Sequence, residues 1–234
     1  MTPLTSILIA LLLVMSADAR ADRPLDWTEG ELAVLPDYCR DTQGFNHTRT
    51  GPQKSPRADY WVSLMGETFW SVHHYCWGLM NQRRAQMAGV SRQQREHLID
   101  SAIRDYQFVV RNMQGRFVLL PEILTRIGEA HLLLKQYAAA NDAFLRAREV
   151  KPDYWPPYAS WAEAQLQLGL KAGARQTVEA ALQYLPEEPR ILALAKRADV
   201  PAETIAAAQT AARRRDQAAS APPPAPASSG APTP

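Results

Sequence analysis

Apolar residues recur at steps of three and four over most of the chain, and this spacing predicts amphipathic helices. One apolar face contains Phe69, Val72, Cys76 and Met80. The next follows Ser91, a predicted N-cap, and contains Leu98, Ala102, Tyr106 and Val109. Two helices joined by a short turn form an αα-hairpin. We therefore predict a helical hairpin over residues 66–118.

After this hairpin the pattern of apolar and small residues repeats with a period of 34. The first copy reads Leu124, Ile127, Gly128, His131, Ala140, Phe144, Ala147 and Pro152. The second copy reads Tyr158, Trp161, Ala162, Gln165, Ala174, Val178, Ala181 and Pro186. Small residues allow two helices to cross closely, and the proline ends the second helix of each copy.

The period and the residue classes resemble the tetratricopeptide repeat. His131 and Gln165 stand where that family usually has an aromatic residue, and Ala162 stands where it has glycine. The resemblance implies an all-α solenoid of αα-hairpins over residues 119–200, with 191–198 as a capping helix. Whether the hairpin at 66–118 is a degenerate first repeat stays open, because the segment between its helices is too long for the period.

The two ends of the chain differ from its centre. Residues 4–15 form an apolar run too short to span a bilayer, with small residues at 17 and 19, so we predict a signal peptide at 1–19. A buried N-terminal helix is the alternative. Residues 20–65 are predicted to be loop-rich, with one short helix that Thr28 and Glu31 cap. Residues 201–216 are predicted to form an Ala-rich helix, and 217–234 a disordered Pro/Ala/Ser tail.

Composition and charge fit this picture. Hydrophobic residues make up 46% of the 234 residues, which supports a core, and the formal net charge is only +2. The predicted signal peptide indicates a periplasmic or secreted protein, and we expect no transmembrane segment in the mature chain and no nucleic-acid partner. The sequence lacks Gly-x-Ser-x-Gly, a glycine-rich phosphate loop and His-Glu-x-x-His. We predict that it is not an enzyme and needs no cofactor.

Export also affects the interpretation of the two cysteines. In an oxidising compartment, an even pair is most simply a disulfide, so we predict a bond between Cys39 and Cys76. Two unpaired, buried thiols are the alternative.

Two side-chain clusters suggest other chemistry. His73, His74 and Cys76 could contribute to a metal or haem site, although a disulfide at Cys76 would remove its thiolate. The basic stretch Arg83–Arg116 could bind an anionic glycan or lipid headgroup. Packing and solvated helix charge are the structural alternatives to these two sites.

In tetratricopeptide proteins the first helix of each repeat lines a concave groove, so the resemblance implies a binding surface here. We predict that this groove is lined by Thr125, Glu129, Leu132, Ala159, Glu163 and Leu166. Glu129 and Glu163 argue against a ligand that needs a basic groove. The sequence thus predicts an adaptor or scaffold for a protein partner, either a component of a cell-envelope complex or an extended peptide segment. An ordinary solvated helix face is the alternative.

Overall fold

The computed structural model describes residues 27–45, 47–48, 51–52 and 55–220. Within these ranges the fold is all-α, as predicted, apart from a short antiparallel ladder between β1 (His47–Thr48) and β2 (Gly51–Pro52). The helices are α1 (Glu29–Leu32), α2 (Ala58–Met65), α3 (Val72–Arg84), α4 (Arg92–Asn112), α5 (Leu120–Leu133), α6 (Tyr137–Val150), α7 (Pro156–Gln167), α8 (Lys171–Leu182), α9 (Pro189–Arg197) and α10 (Ala202–Ser220). No helix in this part of the chain is both long and apolar enough to cross a membrane.

The ends of the chain are only partly described. The predicted signal peptide at 1–19 lies outside the described residues, as do residues 221–234 of the predicted tail. Residues 217–220 belong to α10, so the prediction that they are part of a disordered tail was wrong. Alanine and glutamine have high helix propensity, and they extend this helix beyond the predicted end at residue 216.

The segment before α3 is more regular than the sequence suggested. Thr28 and Glu31 form the predicted capping box at the start of α1. Beyond α1 the chain forms 3-10 turns at Asp37–Asp41 and Glu67–Ser71, with α2 between them. The prediction of loop over residues 20–65 therefore missed α2, because the Gly and Pro residues that precede it obscured its short apolar pattern.

Successive helices pack in neighbouring pairs, α3 with α4, α5 with α6 and α7 with α8. In the first two pairs, a glycine on the first helix faces an aromatic ring on the second. Gly78 faces Tyr106, and Gly128 faces Phe144. Any Cβ at these glycines would overlap the ring, so the close approach of the helices depends on them.

The first helices of the later pairs end in the same way. The second residue after each helix end has a positive φ: Lys135 after α5, Gly169 after α7 and Asp199 after α9. In each case the following N–H bonds back to a carbonyl five residues earlier, which is the Schellman motif. α9 therefore ends like α5 and α7, and the α10 helix that follows it packs against α8.

Two large apolar clusters form the core. The first joins the N-terminal segment, α3, α4, α5 and α6, and the second joins α7, α8, α9 and the start of α10. Between the clusters the Phe144 and Trp161 rings lie 6.1 Å apart, and Arg148 lies over the ring of Tyr158. The predicted disulfide between Cys39 and Cys76 is present in the first cluster, where both residues are fully buried.

Candidate functional site

A groove runs across the first helices of three successive hairpins, α3, α5 and α7; we call this the A-helix groove. Its α5 and α7 lining occurs at matching places, 34 residues apart. Arg126, Glu129 and Leu133 on α5 correspond to Ser160, Glu163 and Gln167 on α7, and Leu132, Ala164, Gln82 and Gln86 complete this part. The groove continues over α3 towards the N-terminal segment, where it is lined by Val34, Leu35, Pro36, Leu79, Arg83 and Glu122.

Hydrogen bonds between the helices fix the floor of the groove. The Tyr75 hydroxyl on α3 donates to Glu122 Oε1 on α5 at 2.5 Å. The Ser160 hydroxyl on α7 donates to Glu129 Oε1 on α5 at 2.9 Å. Burial and the Glu122 carboxylate raise the pKa of the Tyr75 phenol well above its ordinary value, so Tyr75 remains a donor. These bonds hold the three helices in register.

Arg126 lies where the two parts of the groove meet, and it lines both of them. Its Nη1 donates to Glu129 Oε2 at 3.0 Å, and its side chain is 41% exposed. Burial disfavours its charge, but Glu129 and Tyr75 outweigh this effect and raise the pKa of Arg126 above its ordinary value. Its Nε is buried and has no hydrogen-bond partner among the described residues.

The N-terminal segment forms one wall of the groove and is attached to α3 in two ways. The disulfide joins Cys39 to Cys76. Arg84 Nε donates to Glu31 Oε1 at 2.5 Å, and this hydrogen bond lowers the pKa of Glu31 to about 2. The wall is therefore held in place by a covalent bond and by an ion pair that is largely shielded from solvent.

The structure places the six predicted groove residues in different environments. Glu129, Leu132 and Glu163 line the groove. Thr125 and Ala159 are buried, at 3% and 7% exposure, and Leu166 packs partly against the second core cluster. The prediction that Thr125 and Ala159 line an open surface was wrong, because this face of α5 and α7 packs against neighbouring helices. The Thr125 hydroxyl donates to the Pro121 carbonyl within α5.

For the other three predicted residues, the groove uses the next position along the helix, about 100° around it. The groove uses Arg126 and Leu133 in place of Thr125, together with Ser160 and Gln167 in place of Ala159 and Leu166. A signal for the correct face was present in the sequence. Residues 126, 129 and 133 are spaced as one helical face, and the residues 34 positions later, at 160, 163 and 167, are all polar.

The histidine and cysteine cluster is arranged differently from the predicted metal site. Cys76 is bonded to Cys39 and has no thiolate to offer, so the predicted set His73, His74 and Cys76 is wrong as a ligand set. His74 Nδ1 lies 2.7 Å from Asp105 Oδ1, and its ring packs on Phe108. In the described ranges, no three His, Cys, Asp or Glu side chains are grouped closely enough to hold a metal ion.

The basic stretch Arg83–Arg116 is partly engaged within the protein. Arg84 pairs with Glu31 and Arg92 with Glu96. Arg95 donates to the backbone carbonyls of Ala85 and Val90. Arg95 therefore connects the start of α4 to the end of α3. Binding of an anionic glycan or lipid by this stretch stays a prediction.

Comparisons of this chain with protein-family models, with curated proteins and with solved structures found no match. The candidate function therefore rests on the residues and geometry of the chain itself.

Proposed function

We propose that this protein is a non-enzymatic, exported adaptor or scaffold that binds a protein partner through the A-helix groove. The partner would be a component of a cell-envelope complex, and the hairpins from α5 onward would be tetratricopeptide-like repeats. The observation that carries the proposal is the groove lining, which takes residues from matching places on α5 and α7 and continues onto α3. Such a lining gives one continuous surface across three hairpins.

The chemistry of the lining supports a protein ligand. Leu133 in the groove is 45% exposed, whereas apolar side chains are more stable when covered. The exposed amides of Gln86 and Gln167 lie beside it and can donate to and accept from a peptide backbone. Apolar contacts flanked by polar groups are typical of protein-binding surfaces.

Leu133 can be tested against a closely matched residue. Leu145 on α6 is 43% exposed and is not among the residues lining either part of the groove. We expect Leu133→Gln to reduce partner capture from the native host by about tenfold, since a lost apolar contact of about 1.4 kcal/mol gives that factor. Quantitative mass spectrometry of the proteins that co-purify with the wild type, with Leu133→Gln and with the control Leu145→Gln would measure the change in capture.

Leu145→Gln should capture the same proteins as the wild type. Both substitutions are at exposed positions of helices, so both variants should keep the wild-type circular dichroism spectrum. If no protein depends on Leu133 for its capture, or if the wild type captures none above background, the adaptor proposal is wrong.

A further inference from the structure

The turns inside the three hairpins lie together at one edge of the protein, which we call the turn edge. The turns are residues 85–91 after α3, 134–136 after α5 and 168–170 after α7. One part of the A-helix groove is lined by residues at or just beyond the ends of these three first helices, namely Gln86, Leu133 and Gln167. The three helix ends therefore lie side by side, and the turns follow directly from them.

Large apolar side chains are exposed on or next to each of these turns. They are between 38% and 55% exposed, and they are Met87, Leu133, Tyr137, Leu168 and Leu170. Single exposed apolar residues are ordinary, but a group of them that recurs on neighbouring turns indicates a surface that contacts a partner.

Charge distinguishes the turn edge from the opposite edge. The three turns, each taken with the first helical turn that follows it, contain no Asp or Glu and four cations, Arg92, Arg95, Lys135 and Lys171. The opposite edge is formed by the links between hairpins, and it also exposes apolar side chains, Val118, Val150 and Tyr184. Those links, taken in the same way, contain three cations and four acids. Apolar exposure is thus combined with positive charge at the turn edge.

Acids from neighbouring segments leave this difference in place. Glu96 pairs with Arg92, and Asp199 pairs with Lys171. All four side chains are about half exposed or more, so these ion pairs are weak and the cations can also meet an anionic partner. Residues 196–203, around the turn between α9 and α10, contain two cations and two acids and add no net charge. The turn edge therefore remains positive.

The partner must contact three separate turns at once. Neighbouring helices pack about 8–10 Å apart, so the three turns extend over about 20 Å. A protein partner would need a pocket matched to the side chains of each turn. A bilayer surface is laterally uniform and accepts side chains at any spacing, and tyrosine is enriched where headgroups meet acyl chains.

We propose that the turn edge binds the surface of an anionic lipid bilayer. Its apolar side chains enter the boundary between headgroups and acyl chains, and its cations lie against the lipid phosphates. This inference goes beyond the proposed function and does not depend on it, and the variants that test it leave the groove lining unchanged.

Sedimentation with lipid vesicles tests the inference on the protein purified from its native host. We expect binding to vesicles of phosphatidylcholine mixed with phosphatidylglycerol, weaker at high salt, and little binding to phosphatidylcholine alone. Leu170→Gln combined with Lys171→Gln should weaken binding to the mixed vesicles about tenfold. The lost cation accounts for about fivefold and the lost apolar contact for the rest.

The opposite edge supplies a matched control. Val150 is 47% exposed and is followed by Lys151, which pairs with Asp153 much as Lys171 pairs with Asp199. Val150→Gln combined with Lys151→Gln should leave vesicle binding unchanged, and both double variants should keep the wild-type circular dichroism spectrum.

A single substitution tests the charge separately. Lys135 has a positive φ, which asparagine adopts readily, so Lys135→Asn removes a cation without straining the turn. It should weaken binding to the mixed vesicles about fivefold.

Four results would overturn the inference. They are no binding to the mixed vesicles, equal binding to both kinds of vesicle, equal weakening by the two double variants, and full binding by Lys135→Asn. If vesicles do not bind and the turn-edge double variant loses a host protein that the wild type and the control capture, this edge binds a protein instead. None of these results bears on the adaptor proposal, whose test changes Leu133.

Discussion

At the scale of single residues, two glycines determine how closely the hairpin helices pack. A Cβ on Gly128 would lie 2.6 Å from the Phe144 ring, and Phe144 is fully buried and has little room to move. Gly78 has the same relation to Tyr106, which is also fully buried and donates a hydrogen bond to Gln82. The first hairpin therefore packs like the second, although the segment between its helices is longer.

We expect Gly128→Ala to lower the free energy of unfolding by about 1–3 kcal/mol, since overpacking costs more than the higher helix propensity of alanine contributes. Urea unfolding followed by circular dichroism would measure the change. Gly30→Ala in α1 is the matched control, because the nearest atom to a new Cβ there is 3.9 Å away. Equal stability of the two variants would show that the Phe144 ring can yield, contrary to this prediction.

Residue identity also explains why the groove face was predicted one position away from its true place. The sequence marks the inward positions Leu124, Ile127 and Gly128 clearly, because they are apolar or small. It does not show that Thr125 is inward as well, since a threonine whose hydroxyl bonds within its own helix can be buried. Burial on helices flanked by neighbours on both sides depends on the packing of those neighbours, which a single helical period does not specify.

At the scale of elements, the starts of α1 and α4 followed from the sequence. The capping boxes of Thr28 with Glu31 and of Ser91 with Gln94 start α1 and α4, and both starting positions were predicted. The attachment of the N-terminal segment was predicted only in part. The pairing of Cys39 with Cys76 follows from the count of cysteines, whereas the ion pair between Glu31 and Arg84 joins residues 53 positions apart and has no local signal.

The disulfide should stabilise the N-terminal segment far more than the later hairpins. Replacing both cysteines with alanine should cost up to about 4 kcal/mol, the loop-entropy value for a bond between residues 37 apart. Hydrogen exchange followed by mass spectrometry should show lost protection over residues 27–45. Residues 156–197 belong to the second core cluster and should keep their protection. Uniform loss of protection along the chain would contradict this independence.

At the scale of the whole molecule, the burial of side chains decreases over the last two helices, α9 and α10. In α9, Ile191, Leu194 and Ala195 are buried in the second cluster. In α10 no residue is fully buried, although Ile205 and Ala208 pack against that cluster. The sequence predicted a cap at 191–198 from its apolar spacing. It could not show that α10 packs beside α8, because alanine gives a helix little amphipathic pattern.

Truncations would measure how much each of these helices contributes. A chain ending at Pro201 loses α10, and the apolar surface that α10 buries stabilises the protein by about 1 kcal/mol. Its Tm should therefore fall by about 2–4 °C. A chain ending at Pro186 also loses α9, and we expect the second cluster to unfold while the first remains folded. Scanning calorimetry should then show one transition with reduced enthalpy. Equal unfolding enthalpies for the two truncations would contradict the assigned role of α9.

The single disulfide has a consequence for how the protein is made. A chain with two cysteines has one intramolecular pairing, so oxidation cannot produce a scrambled monomer that an isomerase must correct. The erroneous product is a cross-linked oligomer, formed when Cys39 of one chain meets a cysteine of another before its own Cys76 is in position. Because that side reaction is bimolecular, the yield of correctly folded protein should depend on the concentration of newly made chains.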